Sequence, residues 1–203
     1  MSQIINSIMI PEQLLINYGA IVKTYAKDAL ILEKNNSAKF FFQIKSGSIK
    51  MHTISEDGKE FVLGYFTKDQ SFAEPPLFGN FLYPANASAL EETNVYILNK
   101  NAFFKLLKAN FEIHLQLNKI LCNRIQYKSM MMSEISVQSP EHQIISLLSY
   151  LKRNSGAENK YQVQLTRQQI ADLTGLRVET VIRTIKNLAQ KKKLEIINRK
   201  VFI

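Results

Sequence analysis

The sequence predicts an α+β protein in which a β-roll or jelly roll, a long helix and a small helical module follow one another along 203 residues. Three observations predict this order. Short β-rich runs separated by turn residues fill residues 29–98, a helical apolar pattern runs over 101–137, and two short helices around a single glycine precede the C-terminus. Residues 1–30 are predicted to be mostly helical, with a helix that opens at Pro11.

The β-rich part contains a strong hairpin signal. Residues 49–54 alternate between apolar and polar side chains, and residues 61–66 form a second β-rich run. Between the two runs lies Asp57-Gly58, a dipeptide typical of tight hairpin turns. Several short strands with regular turns indicate a β-roll or jelly roll.

An apolar stripe marks the long helix, which is predicted to break near Asn110. The stripe is interrupted at Arg124, and its members recur at spacings of three, four and seven: Ile113, Leu117, Ile120, Tyr127 and Met131. Such a stripe is wide enough to bury one side on the β domain and another on a partner chain. A second copy of the chain is the natural partner, so the long helix is predicted to be a dimerisation helix at about 110–137.

The two predicted domains differ in charge. Ser139 and Pro140 break the helical pattern and restart it, so one domain is predicted over 1–137 and a second over 138–203. The chain carries 26 basic and 17 acidic residues, a net charge of +9. The second domain holds 12 of these basic and 5 of these acidic residues, which leaves the first nearly neutral. A basic module attached to a neutral body is the electrostatic footprint of nucleic-acid binding.

Residues 165–183 have the pattern of a helix-turn-helix, with two short amphipathic helices joined at Gly175. Thr166 is the predicted N-cap of the first helix. The second helix is predicted to bury an apolar face made of Val181, Ile185 and Leu188. Its outer side then carries Arg177, Glu179, Thr180 and Arg183. Residues 194–203 are predicted to form a β-hairpin, which makes the module a winged helix-turn-helix.

The outer side of the second helix suits the major groove of double-stranded DNA. An arginine can hold O6 and N7 of guanine with two hydrogen bonds, and a carboxylate can accept one from an amino group of cytosine or adenine. The basic runs 191–193 and 199–200 could track phosphates. An ordinary helical hairpin with a solvated charged face is the alternative interpretation.

Other classes of function find little support in the sequence. The chain has one cysteine, Cys122, which excludes an internal disulfide. The sequence shows neither a secretory signal nor an apolar run of about 20 residues. We therefore expect a cytoplasmic protein without membrane contact. His52, His114 and His142 lie in different segments without ligand spacing, so no metal site is expected. We find no nucleophile–base pair and no phosphate-binding loop, and expect no catalytic residues and no enzyme. Haem bound through His114 or Met131 stays an alternative.

A β-roll, a long helix and a winged helix-turn-helix in this order closely resemble the Crp/Fnr family of bacterial transcription regulators. The residues that carry the resemblance are 42–47, 57–60, 72–78 and, most specifically, 165–183. The resemblance implies a cyclic-nucleotide-binding-like β-roll that senses an effector, a homodimer joined along the long helix, and winged helices that bind a palindromic DNA site. RNA polymerase is the further partner that we expect.

The resemblance also assigns roles on the recognition helix. Arg183 matches the family's guanine-reading arginine, Glu179 matches its partner carboxylate, and Thr180 matches a backbone contact. Arg167 and Arg177 are candidate phosphate contacts.

Two positions on this helix make the DNA sequence harder to predict. Val178 stands where the cyclic-AMP-responsive branch carries another base-reading arginine, so that branch's half-site is not assumed. Ile182 replaces a serine usual in the fumarate-nitrate-type branch, and it can offer an apolar contact, for example to a thymine methyl. We therefore expect a half-site that contains a TG step, and we make no prediction for the bases on either side of it.

The resemblance implies an effector pocket that is degenerate. Its assigned residues are Ala73, Glu74, Tyr83, Pro84, Ala85, Lys128 and Ser129. Ala73 takes the position of a family glycine, Tyr83-Pro84 take those of an arginine and a serine, and Lys128-Ser129 take those of an adenine-contacting pair. A phosphate buried without its arginine lacks the partner that offsets its desolvation. We therefore expect no orthodox cyclic AMP binding and assign no cofactor. The sequence leaves open whether the protein responds to another small effector or to none.

Two alternatives stay open on the sequence alone. One is a nucleotide-sensing regulatory module that acts on a protein partner, for which a basic recognition helix would be superfluous. The other is a β-roll enzyme of the cupin kind, which would need a cluster of metal-binding histidines.

Overall fold

The computed structural model describes residues 10–58, 60–137 and 139–203. They form two compact units, one made of the described residues up to 121 and one of residues 122–203. The division lies inside the long helix, and the domain boundary between residues 137 and 138 stays a prediction.

The N-terminal unit contains two four-stranded antiparallel sheets, which confirms the predicted β-rich domain. One sheet has the strand order β1-β8-β3-β6 and the other β2-β7-β4-β5. The elements are α1 (Glu12–Asn17), β1 (Ile21–Tyr25), β2 (Leu30–Leu32), β3 (Phe40–Ser46), β4 (Ser48–Ile54), β5 (Glu60–Thr67), β6 (Ser71–Phe72), α2 (Pro75–Gly79), β7 (Asn86–Ala89), β8 (Thr93–Asn99) and α3 (Lys100–Ala109).

The prediction of a mostly helical segment over 1–30 is wrong for its described part. Helix α1 begins beside Pro11 as predicted, but it ends at Asn17, and the edge strand β1 follows. Ile21 and Val22 of this strand are exposed, so their apolar character does not report a helical face. Antiparallel pairing with β8 makes this segment a strand. Residues 1–9 lie outside the described residues.

The turn between β3 and β4 requires a glycine. Gly47 has a φ of 87°, in the left-handed region. A Cβ at this position would lie 2.6 Å from the carbonyl oxygen of Glu92 and closer still to the Thr93 hydroxyl. The Thr93 hydroxyl also bonds the backbone of Ser48, so the turn is tied to the start of β8 and cannot move aside at low cost.

A buried histidine lies among polar groups on the sheet β2-β7-β4-β5. His52 Nε2 lies 3.0 Å from Ser88 Oγ, and His52 Nδ1 lies 2.9 Å from a carboxylate oxygen of Glu60. Desolvation lowers the pKa of His52 below its ordinary value, although the charge of Glu60 opposes the shift. His52 is therefore neutral in the folded protein near pH 7.

Acidification is expected to destabilise the β-roll through His52. Because the folded-state pKa is depressed, the unfolded chain binds the proton first as the pH falls below about 6.5. The stability that neutral His52 contributes is complete above that pH and is lost as the pH drops through the folded-state pKa. Thermal unfolding at a series of pH values checks this prediction, because His52→Gln should weaken the dependence on pH. An unchanged dependence in this variant would contradict it.

The long helix is divided at Asn110, as predicted. Helix α3 ends at Ala109, because the backbone of Asn110 leaves the helical conformation, with a φ of −131° and a ψ of 76°. The Asn110 side-chain amide also donates a hydrogen bond to the carbonyl of Leu106, at 2.8 Å. Helix α4 (Phe111–Val137) follows. Among the α4 side chains that the structure describes, the buried ones are Leu117, Ile120, Arg124, Tyr127 and Met131, so four of the five members of the predicted stripe are buried. Ile113 is half-buried.

The C-terminal module in residues 139–203 consists of three helices and a hairpin. Its elements are α5 (Pro140–Ser155), α6 (Arg167–Thr174), α7 (Val178–Gln190), β9 (Glu195–Ile197) and β10 (Lys200–Phe202). The hairpin is the predicted wing, and its two turn residues, Asn198 and Arg199, have φ values of 48° and 65°. Two left-handed residues are what a two-residue hairpin turn needs. In the part of the chain that the structure describes, no helix is long and apolar enough to cross a membrane.

Candidate nucleic-acid interface

Reciprocal hydrogen bonds fix the start of the helix-turn-helix. The Thr166 hydroxyl accepts from the backbone N–H of Gln169 at 3.1 Å, and the Gln169 side chain accepts from the backbone N–H of Thr166 at 2.9 Å. This capping box confirms Thr166 as the N-cap of α6. Gly175, with a φ of 70°, ends α6 in the left-handed conformation, and α7 begins three residues later.

Helix α7 has one buried and one exposed side. The buried residues are Val181, Thr184, Ile185 and Leu188. The exposed side, which borders a hollow of about 380 Å³, consists of Glu179, Ile182, Arg183, Lys186, Asn187 and Gln190. Thr180 lies half-buried beside it. Three of these residues were not predicted as DNA contacts, although they follow Glu179 and Arg183 at helical spacing along the same side: Lys186, Asn187 and Gln190.

A larger hollow, of about 580 Å³, lies between α7 and the wing. Four cationic side chains line it: Arg167, Lys186, Arg199 and Lys200. Among the described residues that line this hollow, none is acidic. Four cations without a counter-charge make the hollow attractive to a polyanion such as a nucleic-acid backbone.

The two candidate phosphate ligands differ in environment. Arg167 is half-buried and donates a hydrogen bond of 3.4 Å to the carbonyl of Arg199 in the wing turn. Desolvation lowers the pKa of Arg167, but a guanidinium remains charged at physiological pH. Arg177 is exposed at the N-cap of α7. Their phosphate contacts stay predictions.

The lysines after α7 are not equivalent. Lys191 forms an ion pair with Glu141 of α5 at 2.7 Å, so it is already engaged within the module. Lys192 has a φ of 57°, and Lys193 donates its backbone N–H to the carbonyl of Leu188, which closes the end of α7. The exposed side chains of Lys192 and Lys193 are the better candidates for phosphate contact.

The structure places most of the predicted effector residues in the β-roll. Glu74 is fully buried at the start of α2, and Ala73 before it is buried with a φ of 59°. Tyr83 and Ala85 are buried, whereas Pro84 is exposed. Burial raises the pKa of Tyr83, so a neutral phenol occupies the position of the family arginine.

The remaining predicted effector residues lie on α4. Lys128 and Ser129 are both exposed on this helix. Partial desolvation, and then the charge of Arg124, lower the pKa of Lys128. Both residues belong to the unit 122–203, and their role in a pocket stays a prediction. No cluster of three potential metal ligands occurs among the residues that the structure describes.

Comparison with known families decides between the interpretations. The family model of the cyclic nucleotide-binding domain matches residues 22–110, and that of the Crp-like helix-turn-helix domain matches residues 142–203. The chain belongs to the Crp/Fnr family. It is therefore a transcription regulator of the Crp/Fnr type with a DNA-binding helix-turn-helix. A module that acts only on another protein, or a cupin-type enzyme, is not favoured.

Individual relatives come from both named branches of the Crp/Fnr family. The cAMP-activated global transcriptional regulator CRP of Pasteurella multocida (strain Pm70) is 26% identical over 82% of this chain and 82% of its own. The transcriptional activator protein FnrA of Stutzerimonas stutzeri is 23% identical over 87% of this chain and 74% of its own. A CooA mutant from Carboxydothermus hydrogenoformans has the same fold, with a TM-score of 0.79, 17% identity, and coverage of 96% of this chain and 86% of that one.

The alanine at the glycine position of this Crp/Fnr protein is expected to cost stability. Ala73 has a Cβ in the left-handed region, so Ala73→Gly should raise the free energy of unfolding by about 1 kcal/mol. Urea unfolding measures the difference. The control, Ala85→Gly, lies at another buried alanine without a positive φ and should lower stability instead. A loss of stability in both variants would contradict the prediction.

Proposed function

We propose that this Crp/Fnr protein is a homodimeric regulator that binds a palindromic DNA site by inserting α7 of each subunit into the major groove. The observation that carries the proposal is the two-sided character of α7. Val181, Ile185 and Leu188 anchor one side in the module, whereas Glu179 and Arg183 are exposed on the other. A helix that is anchored in this way can present its polar side to base edges.

The exposed side chains support readout of a guanine. Arg183 can donate two hydrogen bonds to O6 and N7 of guanine, and Glu179, one turn earlier, can accept from an amino group of a neighbouring base pair. We therefore propose a half-site that contains a TG step. Arg167, Arg177 and Thr180 are the proposed backbone contacts.

A second stripe on α4 supports the homodimer. Seven exposed positions recur at alternating steps of four and three: Phe111, Leu115, Asn118, Cys122, Ile125, Ser129 and Met132. Its four large apolar members, Phe111, Leu115, Ile125 and Met132, are exposed by 64%, 46%, 64% and 71%. This period is that of a two-stranded coiled coil, and a two-fold axis pairs each position with its own copy. We propose that a second copy of the chain covers this stripe.

Cross-linking at Cys122 tests whether the exposed stripe on α4 is the dimer seam, that is, the surface along which two copies of the chain meet. Cys122 is exposed and is the single cysteine of the chain, so a disulfide can form only between two copies. Mild oxidation should yield a covalent dimer, because the seam brings the two thiols together. The control, Cys122→Ser combined with Lys119→Cys, moves the thiol to an exposed position off the stripe and should link poorly. Equal linking from both positions would contradict the seam.

DNA binding itself is tested by titration with duplex DNA at several salt concentrations. Each phosphate that the protein neutralises should contribute about −0.9 to the slope of log affinity against log salt. Binding that is steeply salt-dependent supports the proposal. Absence of binding at low salt, both with and without added cell extract, would contradict it and favour a module that acts on another protein.

We propose that the effector differs from cyclic AMP held in the orthodox manner. The support is the neutral, buried Tyr83 and the exposed Pro84 at the positions that should hold the cyclic phosphate. Calorimetric titration with cyclic AMP should give no saturable heat. Saturation at micromolar concentration would contradict this part of the proposal. RNA polymerase is the proposed protein partner, as the resemblance to transcription regulators implies.

A further inference from the structure

One apolar side chain interrupts the polar outer side of α7. Ile182 is 41% exposed, whereas its neighbours Val181 and Ile185 are buried. The other exposed residues on this side are Glu179, Arg183, Lys186, Asn187 and Gln190. The buried side of α7 consists of other residues, Val181, Thr184, Ile185 and Leu188. Ile182 is therefore not one of the residues that anchor the helix in the module.

Ile182 also has a central position. It borders both the hollow over α7 and the hollow between α7 and the wing, and Lys186 is the other residue that borders both. In the larger hollow it is accompanied by Ile196 of the wing, which is also exposed. A single exposed isoleucine is unremarkable on a protein surface. This one lies in the middle of the surface that, under the proposed function, faces the base pairs.

The chemistry of isoleucine limits what it can recognise there. Its side chain cannot donate or accept a hydrogen bond, so it cannot read the polar edge of a base. In the major groove, the apolar group that a base pair displays is the 5-methyl group of thymine. Arg183, the next residue along the chain, is placed to read a guanine, so an adjacent thymine would bring its methyl group within reach.

We propose that Ile182 reads the 5-methyl group of a pyrimidine next to the guanine that Arg183 contacts. This inference rests on the proposed function and deepens it, since it names a specificity-determining residue. The methyl group is that of thymine in unmodified DNA, and 5-methylcytosine displays the same group at the same place.

Removal of the methyl group alone gives the sharpest test. Starting from the best duplex recovered from a random library, each thymine is replaced in turn by deoxyuridine in both half-sites, and the dissociation constants of wild type and Ile182→Ala are compared. At one position, the replacement should weaken binding of the wild type about fourfold per half-site, which corresponds to loss of one buried methyl group. Ile182→Ala should bind the thymine and deoxyuridine duplexes equally.

Two further comparisons test whether the effect comes from the methyl group and from Ile182. At the responsive position, cytosine is compared with 5-methylcytosine, and the methylated duplex should bind more tightly to wild type but not to Ile182→Ala. Lys186→Ala serves as the matched control, because it borders the same two hollows but should weaken all duplexes alike and retain the thymine preference. An unchanged melting temperature in Ile182→Ala shows that the fold is intact.

The inference is overturned if no thymine responds to replacement, or if Ile182→Ala retains the full preference for the methylated base. Both outcomes leave the proposed function standing, since they require a selected duplex and sequence-specific binding. Failure of the proposed function appears one step earlier, because no sequence is then enriched from the library, and the inference falls with it.

Discussion

Arg183→Ala is expected to weaken binding to the palindromic site by about 30-fold to 20,000-fold. Loss of one bidentate contact to guanine costs about 1–3 kcal/mol, and a dimer loses two such contacts. The side chain is exposed on the outer side of α7, so its removal leaves the buried side of the helix unchanged. Fluorescence anisotropy with the selected duplex, and with duplexes in which the guanine is replaced, measures both affinity and discrimination.

Arg153→Ala is the control for this loss of charge. Arg153 is exposed on α5, where it lies over the ring of Tyr150, and it is not part of the outer side of α7. Its replacement should lower affinity slightly and for all sequences alike. Arg183→Ala should instead bind the duplexes with and without the guanine equally. If Arg183→Ala weakens binding to every sequence by the same factor, Arg183 contacts phosphate and does not read a base.

Ile125→Asp is expected to dissociate the dimer and, with it, binding to the palindrome. Burial of an isoleucine side chain contributes about 1.5–3 kcal/mol, and the proposed seam contains Ile125 from each copy. Two facing carboxylates would add repulsion and desolvation. The dissociation constant of the dimer should therefore rise at least about 100-fold. Sedimentation velocity over a range of protein concentrations measures this change, and DNA binding is then tested on the same samples.

Gln126→Asp is the control that distinguishes loss of the dimer seam from a general effect of a new charge on α4. Gln126 is the next residue along the helix and is also exposed, but it lies outside the stripe of alternating steps. The same charge at this position should leave the dimer intact. Dissociation by both substitutions, or by neither, would contradict the proposed seam.

The helix-turn-helix could be predicted because its determinants are local. Thr166 and Gln169 cap each other across one turn, and Gly175 ends α6 by its own backbone conformation. The buried and exposed sides of α7 follow from helical periodicity, which Val181, Ile185 and Leu188 display without interruption. Short-range geometry of this kind depends on residues that are close in the sequence, so it can be predicted from the sequence alone.

Features that depend on distant contacts were harder to predict. Residues 21–25 form a strand because β8 pairs with them, and no local alternation marks this edge strand. The exposed stripe on α4 was not predicted because the polar residues Asn118 and Ser129 interrupt its apolar pattern. The burial of each side chain, which the sequence does not report, distinguishes this stripe from the predicted one. The positive φ of Ala73 likewise has no signal in the residue type.

Selection of bound duplexes from a random library, with the purified protein and nothing added, tests whether the protein recognises a palindromic DNA site. We expect enrichment of a palindrome whose half-sites each contain a TG step and an invariant guanine, with centres about one helical turn apart. The selection is then repeated with cell extract, which supplies an effector if one is required. Enrichment of a single unrepeated motif, or no enrichment in either selection, would contradict the claim that two copies of α7 read one palindromic site.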